Sequence, residues 1–550
     1  MGRPSQTSSE DSILDLQVPC ERQDSAPSQS SGHGPAPSPG RSEDSGASDA
    51  DLHVKAMIPT LVERVAKMDV VKPEVLRVTP VFRALEHFAA ALRVGSAGDF
   101  YHKSHQSQRI STFWSHSWHG GHWKKIFAIV TLYNGTAAVF LSLLTGACMM
   151  LLFSLGTLPG IDRGWWDDSF QWSCWSTFSG FVVANLVLIF WRPRTAVFLD
   201  RICISQSDAR LKTEAILSLA GLLKNSDGML ILWDPTWTER LWCLFELAAF
   251  LKSKTSQQQH LVVRPIFMGP LSIAVYLTFA AVAMTIATVP IRAHEEKNFV
   301  QLLSAIVFCA FVFAVPTAST IRSYFRDLDT MKLQLSSISV DTTKSSCCDR
   351  HHVNPSGGRM FCDRKIVKEC VKIWFGSELS FEDTVRAEVL DILNRNLTQK
   401  VFSTPWALGV TSPIILAFMD VSASFTQPDN TWKLWEHPSV SLLLEGLVIW
   451  LLFVPANKDL LILLLRFGRR RPRSTCLELL KNLSVLVAAA VPVLVMVVAY
   501  GITRFTDRIF FDAEIAVLQA VGFACCTLLL SLCNCLVGLG LKALLRRPGW

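Results

Sequence analysis

Charge is what this chain has least of. Asp, Glu, Lys and Arg together make up 18% of its 550 residues, against roughly 25% in a typical soluble domain. Half of the residues are hydrophobic and the mean hydropathy is +0.31, so the composition excludes an ordinary soluble globular protein and points to a membrane. A disulfide framework is missing too. The 15 Cys fall mainly in apolar runs or in segments expected in the cytosol, without the pattern of a secreted disulfide scaffold. The first fifty residues hold no apolar run, so no secretory signal is expected there and insertion would rely on the first internal span. No internal repeat is evident, and the apolar spans lack the central charges and paired helix breaks that mark transporters. The net charge of +7 is moderate, and no nucleic-acid partner is expected from it.

What the chain does have is 17 Trp, several of them beside apolar runs, as interfacial aromatics would be. Residues 1–50 are rich in Ser, Pro, Gly and Asp and are expected to form a disordered tail, because they bury too little apolar surface to offset their ordering entropy. Residues 51–108 read as an amphipathic helical segment divided by Pro59, Pro73 and Pro80. From residue 126 onward, stretches long enough for a bilayer recur, about eight in all. They are Ile126–Leu158, Phe170–Trp191, Pro270–Ile291, Phe299–Thr317, Val401–Ser424, Val440–Pro455, Leu477–Ile502 and Ile515–Leu541. Lys124, Lys125, Arg192, Arg194, Lys252, Lys254, Arg264, Arg322, Arg326 and the block Arg466–Arg473 fall on one side of these spans. The positive-inside rule then places both termini and the large polar segments in the cytosol. The expected partner is the lipid bilayer.

Between the second and third spans lies a stretch with alternating strand and helix character. Thr195–Asp200, Met229–Trp233 and Val262–Phe267 read as buried strands, and Leu211–Asn225 as a helix. Strands separated by helices of this length imply right-handed crossovers and a parallel sheet, whose sites lie at the carboxyl ends of the strands. One further helix stands out. From Leu241 to Leu251 every residue is apolar except Glu246, and Thr236 with Glu239 has the spacing of a capping box before it. A helix apolar on all sides is buried, and a lone carboxylate on it is costly unless it is paired or used. Arg201 and Arg240 are the candidates for a structural pair.

The motifs "FLD", "S-x-x-x-LILW", "RLWCLFEL" and "RPIF-x-x-P" of this stretch resemble the TIR domain, above all the plant type with its "FIDD", "IVVLS", "WCLxEL" and "LPIFYxVxP" motifs. That family's first strand, of the "FLSFRG" kind, would correspond to Ile110–Trp118. The resemblance covers about a quarter of the chain, and "WCLFEL" is its most specific piece. The chain departs from the family in two ways: two spans separate its first strand from its second, and the family's last strand and helix are replaced by membrane segments. Polytopic TIR-like proteins of this kind are similar to a little-characterised group in unicellular eukaryotes. The resemblance implies a mixed fold: an α-helical polytopic membrane protein with a cytosolic α/β flavodoxin-like parallel-sheet domain interrupted by a membrane hairpin. The expected divisions are 109–125 and 193–268 for that domain, 126–192 and 269–318 for two hairpins, 319–400 for a cytosolic Cys/His region and 401–545 for a four-helix membrane region.

In NAD-cleaving TIR domains the Glu of "WCLxEL" is catalytic, and it falls on Glu246. Breaking the nicotinamide–ribose bond develops oxocarbenium character, which a nearby carboxylate stabilises. The resemblance thus implies membrane-anchored signalling with NAD as the substrate to test. Ser115, Trp118, Asp200, Arg201 and Trp233 are the expected substrate-binding residues. The family also contains pure adaptors, so a non-enzymatic interaction or scaffold module, self-associating through the TIR-like domain, stays open. So does a regulatory domain of a channel or transporter. No cofactor is expected.

Cys347, Cys348, His351, His352, Cys362 and Cys370 form a second cluster. Their types suit zinc, but no paired C-x-x-C spacing is present, and reduced loop thiols or a palmitoylation site compete. The His116, His119 and His122 run lacks accompanying Cys or carboxylate ligands. Asp420 reads as an interfacial residue rather than a proton relay.

Overall fold

The computed structural model describes residues 49–93, 98–162, 171–254, 260–288, 296–353, 361–426, 438–472, 474–509 and 513–545. The expected disordered tail lies outside them, apart from its last two residues, which open a helix. The chain is mostly helical, with a mixed six-stranded sheet. It divides into two compact units. The first takes its residues from Met1–His119, Arg194–Val262 and Gln334–Asp391, and the second from Gly120–Pro193, Val263–Leu333 and Ile392–Trp550.

Eight strands occur among the described residues: β1 Arg77–Pro80, β2 His105–Gln106, β3 Ile110–His116, β4 Ile161–Asp162, β5 Gln171–Trp172, β6 Ala196–Phe198, β7 Ser226–Trp233 and β8 His260–Pro265. β4 and β5 form a small hairpin of their own, and the other six make one sheet in the order β2-β1-β6-β3-β7-β8. β3 is central. It runs parallel to β6, with Thr112 opposite Val197, and parallel to β7, with Ser115 opposite Ile231 and His116 opposite Leu232. Phe113 to His116 and Gly228 to Trp233 are buried throughout, as strands covered on both faces must be. Phe113 and Phe198 stack at 4.8 Å across the β3–β6 pair.

Two expectations need correction. Residues 51–108 are not all helical: after the helix Asp49–Ala66, β1 pairs antiparallel with β6 and β2 antiparallel with β1, extending the sheet. These strands are too short to display a period of two, and Pro80 can end β1 because a terminal strand residue need not donate to the ladder. The strand expected over Thr195–Asp200 is shorter, since Asp200 already opens the helical turn Asp200–Cys203.

In the second unit, five helices are long and apolar enough to cross a membrane among the described residues: His122–Ser154, Met268–Thr285, Val440–Phe467, Thr475–Met496 and Val521–Gly540. Two expected spans come out differently. Phe170–Trp191 becomes the 16-residue apolar helix Trp175–Phe190, and Val401–Ser424 becomes Thr404–Val410 and Ser412–Ser424, bent by 52°. Phe299–Thr317 falls inside the helix Glu296–Ser336, and its side chains up to residue 311 lie outside the described ones. The span expected to stop at Pro455 continues to Phe467. A π-turn over Ile449–Phe453 widens the helix just ahead of that proline, which has no N–H to donate. Close helix contact uses small residues: a Cβ on Gly146 or Gly180 would meet the Leu416 side chain at 2.3 or 2.6 Å. Leu528, Leu529, Leu532, Leu536 and Leu539 are exposed, the apolar surface that lipid would cover.

Candidate functional site

The parallel pairing aligns the carboxyl ends of β3, β6 and β7. Ser115 and His116 close β3, Asp200 follows β6, and Trp233 closes β7. The chain then turns through Trp237–Glu239 into the helix Leu241–Ser253. The capping box expected before this helix does not form. The Thr236 hydroxyl is taken by Asp234 and by Ser117 Oγ, at 2.7 Å for the latter, and Gln334 donates to Glu239, which also pairs with Lys344. The Lys344 carbonyl instead accepts the Leu241 N–H at 3.1 Å, so a distant segment caps the helix.

Glu246 sits one and a half turns into that helix and is half-buried, while Phe245 and Leu247 beside it are buried. Ser115 Oγ donates to Glu246 Oε2 at 2.6 Å, and Trp237 Nε1 donates to Ser115 Oγ at 3.0 Å. The indole leaves the hydroxyl one proton to give, so the relay points at the carboxylate. Burial pushes the Glu246 carboxyl up to about 8 and the Asp200 charge adds to this, against the Ser115 hydrogen bond and the Arg240 charge.

The remaining residues surround this relay unevenly. Trp118, partly exposed, donates from Nε1 to Asp200 Oδ2 at 3.1 Å, and its ring meets the His116 ring at 4.5 Å. Arg201 is buried; it donates to the Arg93 carbonyl at 2.6 Å and lies over the Phe100 and Trp118 rings at 5.4 and 6.0 Å. Arg240 contacts His119 Nδ1 at 2.9 Å. Neither arginine closes an ion pair on Glu246 among the described residues, although the Arg240 charge acts on its carboxyl. Trp233 is 2% exposed and packs in the core at the end of β7. Trp237 was not singled out from the sequence; a Trp just ahead of the apolar helix is a signal only once the Ser115 strand is known to lie beside it. An apolar crevice in the same unit is lined by Leu61, Val65, Ile216, Trp242, Phe245 and Ile366, and Glu246 is not part of its wall.

The second cluster is brought together in part. Cys347, Cys348, His352 and Cys362 place one ligand atom each within 4.8 Å of one another, whereas His351 and Cys370 are not part of this group. Cys370 is buried, with its thiol 3.9 Å from the Val62 carbonyl. The His116, His119 and His122 run forms no metal-ligand group among the described residues. No family model matches this chain, and no curated protein or solved structure matches it either.

Proposed function

We propose that the chain is a membrane-anchored, TIR-like signalling protein whose Glu246 site cleaves NAD or a related nucleotide at its glycosidic bond. One observation carries this reading. The carboxylate of a half-buried residue, at the carboxyl end of a parallel sheet, accepts from the Ser115 hydroxyl and has no ion pair among the described residues. In the reaction Glu246 would stabilise the oxocarbenium-like ribose, with the Ser115 hydroxyl fixing its rotamer, while Trp118 and Asp200 at the rim would contact the nucleotide. A cationic nicotinamide ring beside Glu246 favours its ionised form, so substrate binding would expel the proton that the free site retains near neutral pH.

A second reading has an observation of its own. The apolar crevice excludes Glu246, and Ser115, which holds its carboxylate, is itself held by the buried Trp237. On this reading the domain is an interaction module, self-associating in signalling, or the regulatory domain of a channel or transporter, and Glu246 is a packing residue. The α/β unit and both termini would face the cytosol in either case, as the Lys/Arg bias requires.

The discriminating experiment is NAD turnover by the purified full-length protein in detergent or nanodiscs. The enzyme reading expects turnover that falls by about a hundredfold or more in Glu246→Gln, with melting behaviour retained. A parent protein that leaves NAD and its phosphorylated analogue intact, as a self-associated oligomer as well as a monomer, refutes the enzyme reading and leaves the interaction module.

A further inference from the structure

The segment Gln334–Asp391 gathers four side chains that the Glu246 site does not use. Cys347 and Cys348 lie on the turn Ser346–Asp349, and Cys362 is the N-cap of the helix Asp363–Phe375. Their spacing is the informative quantity. A tetrahedral ion with Zn–S near 2.3 Å and Zn–N near 2.0–2.1 Å sets S···S edges of about 3.8 Å and S···N edges of about 3.5 Å. Cys347 Sγ lies 3.8 Å from Cys348 Sγ, Cys348 Sγ lies 3.9 Å from Cys362 Sγ, and Cys348 Sγ lies 3.6 Å from His352 Nε2. A disulfide would hold its sulfurs at about 2.05 Å, and none is formed here.

Two further features place donors at one of these sulfurs and fix the turn that carries the ligands. The Asp363 N–H donates to Cys347 Sγ at 3.3 Å, and the Ser345 hydroxyl lies 3.1 Å from the same sulfur. His351 and His352 adopt φ of 51° and 59°, a left-handed pair that side chains with a Cβ disfavour. The turn is closed by the His352 N–H on the Cys347 carbonyl at 2.8 Å, which returns the imidazole to the cysteines.

We propose that Cys347, Cys348, His352 and Cys362 form a closed four-coordinate site for a structural Zn²⁺. A complete set of protein ligands leaves no position open for water or substrate, which assigns the ion to structure and not to catalysis. Binding releases the thiol protons of Cys347, Cys348 and Cys362 to solvent, and His352 coordinates as neutral imidazole. The ion fastens a strap across the start of the Glu246 helix. Trp242 Nε1 on that helix donates to Asp363 Oδ2 at 3.0 Å, Arg364 donates to the Thr343 carbonyl at 2.7 Å, and Lys344 caps Leu241. The site stands whether or not Glu246 cleaves a nucleotide.

The test uses the full-length protein in detergent. Elemental analysis is expected to find stoichiometric zinc. Chelation should strip it, expose Cys347, Cys348 and Cys362 to a thiol reagent, lower the melting temperature and speed amide exchange at Leu241–Phe245. Cobalt in its place should give the strong visible bands of a tetrahedral thiolate complex. Cys348→Ser and His352→Ala should lose the metal, whereas His352→Cys, and Cys370→Ser outside the cluster, should keep it. Zinc retained by the Cys348→Ser, Cys362→Ser double variant overturns the proposal. So does reduced wild-type protein that stays metal-free in a zinc buffer, with no cobalt bands and no change in thiol reactivity. Should the ligand variants fail to fold, chelation and the cobalt spectrum of the wild type decide alone.

Discussion

Glu246 can be interrogated without knowing its substrate, because its proton is linked to folding. An acid whose folded-state pKa is raised binds its proton more tightly folded than unfolded. Its contribution is therefore fully present below its ordinary value of 4.5 and is lost as pH rises through about 8. Wild-type thermal stability should fall across that window relative to Glu246→Gln, which keeps the shape and cannot ionise. Melting curves taken at intervals from pH 4.5 to 8.5 would check this. Parallel curves for the two proteins would mean that the carboxylate is solvated after all. Ser115→Ala removes the hydrogen bond that favours the charged form, so in that variant the fall should still begin near 4.5 but extend to higher pH. The sequence alone could identify Glu246, since one acid in an apolar run is visible at a glance. It could not show the Trp237–Ser115–Glu246 relay, whose members come from a strand, a loop and a helix up to 131 positions apart.

At the scale of elements, what was legible depended on length and continuity. β7 and β8 are legible as apolar runs, although the structure sets them at Ser226–Trp233 and His260–Pro265 and not at Met229–Trp233 and Val262–Phe267, and β3 is legible only through the resemblance. β1 and β2 are four and two residues long and exist only because neighbours complete their ladders. Asp420 shows the same limit within the membrane unit. By sequence it is an interfacial acid on an apolar helix; in the structure it is buried and accepts from Ser173 Oγ, Ser176 N–H and Thr177 N–H, each at 2.8 Å. It therefore caps the first turn of Trp175–Phe190, where orphan amides and the helix dipole favour an anion. Asp420→Ala should strand two backbone donors, at a cost of about 1–3 kcal/mol each, and Asp420→Asn, which keeps one acceptor, should lose less. Thermal aggregation in detergent would rank them, and an order of Asn below Ala would refute the capping role. The basic flank is likewise turned inward in part. Arg322 is fully buried and donates to the Gly468 carbonyl, Asn482 and Glu478, and Arg469 pairs with Asp329 at 2.5 Å. Those residues join helices within the unit.

For the whole molecule, sheet pairing constrains how the chain can cross a bilayer. Thr112 and Val197 are hydrogen-bonded neighbours in adjacent strands, so they lie on the same side of any membrane, and the residues between them must cross an even number of times. That stretch holds one full-length helix, His122–Ser154, of 33 residues, and one of 16, Trp175–Phe190. At 1.5 Å per residue the second covers about 24 Å of a core near 30 Å. If His122–Ser154 crosses a bilayer, parity requires Trp175–Phe190 to cross as well, with flanking residues or local thinning making up the difference. The same argument applies to residues 263–333, because Gln334 bonds Glu239 in the first unit. Each excursion would then be a hairpin, and the Lys/Arg bias predicts a cytosolic first unit. An N-glycosylation acceptor inserted with a spacer after Thr157 should be modified in cells, whereas the same insert after Ser207 or Ser346 should not. Modification after Ser207 would overturn the cytosolic placement of the first unit, and none after Thr157 would overturn the hairpin.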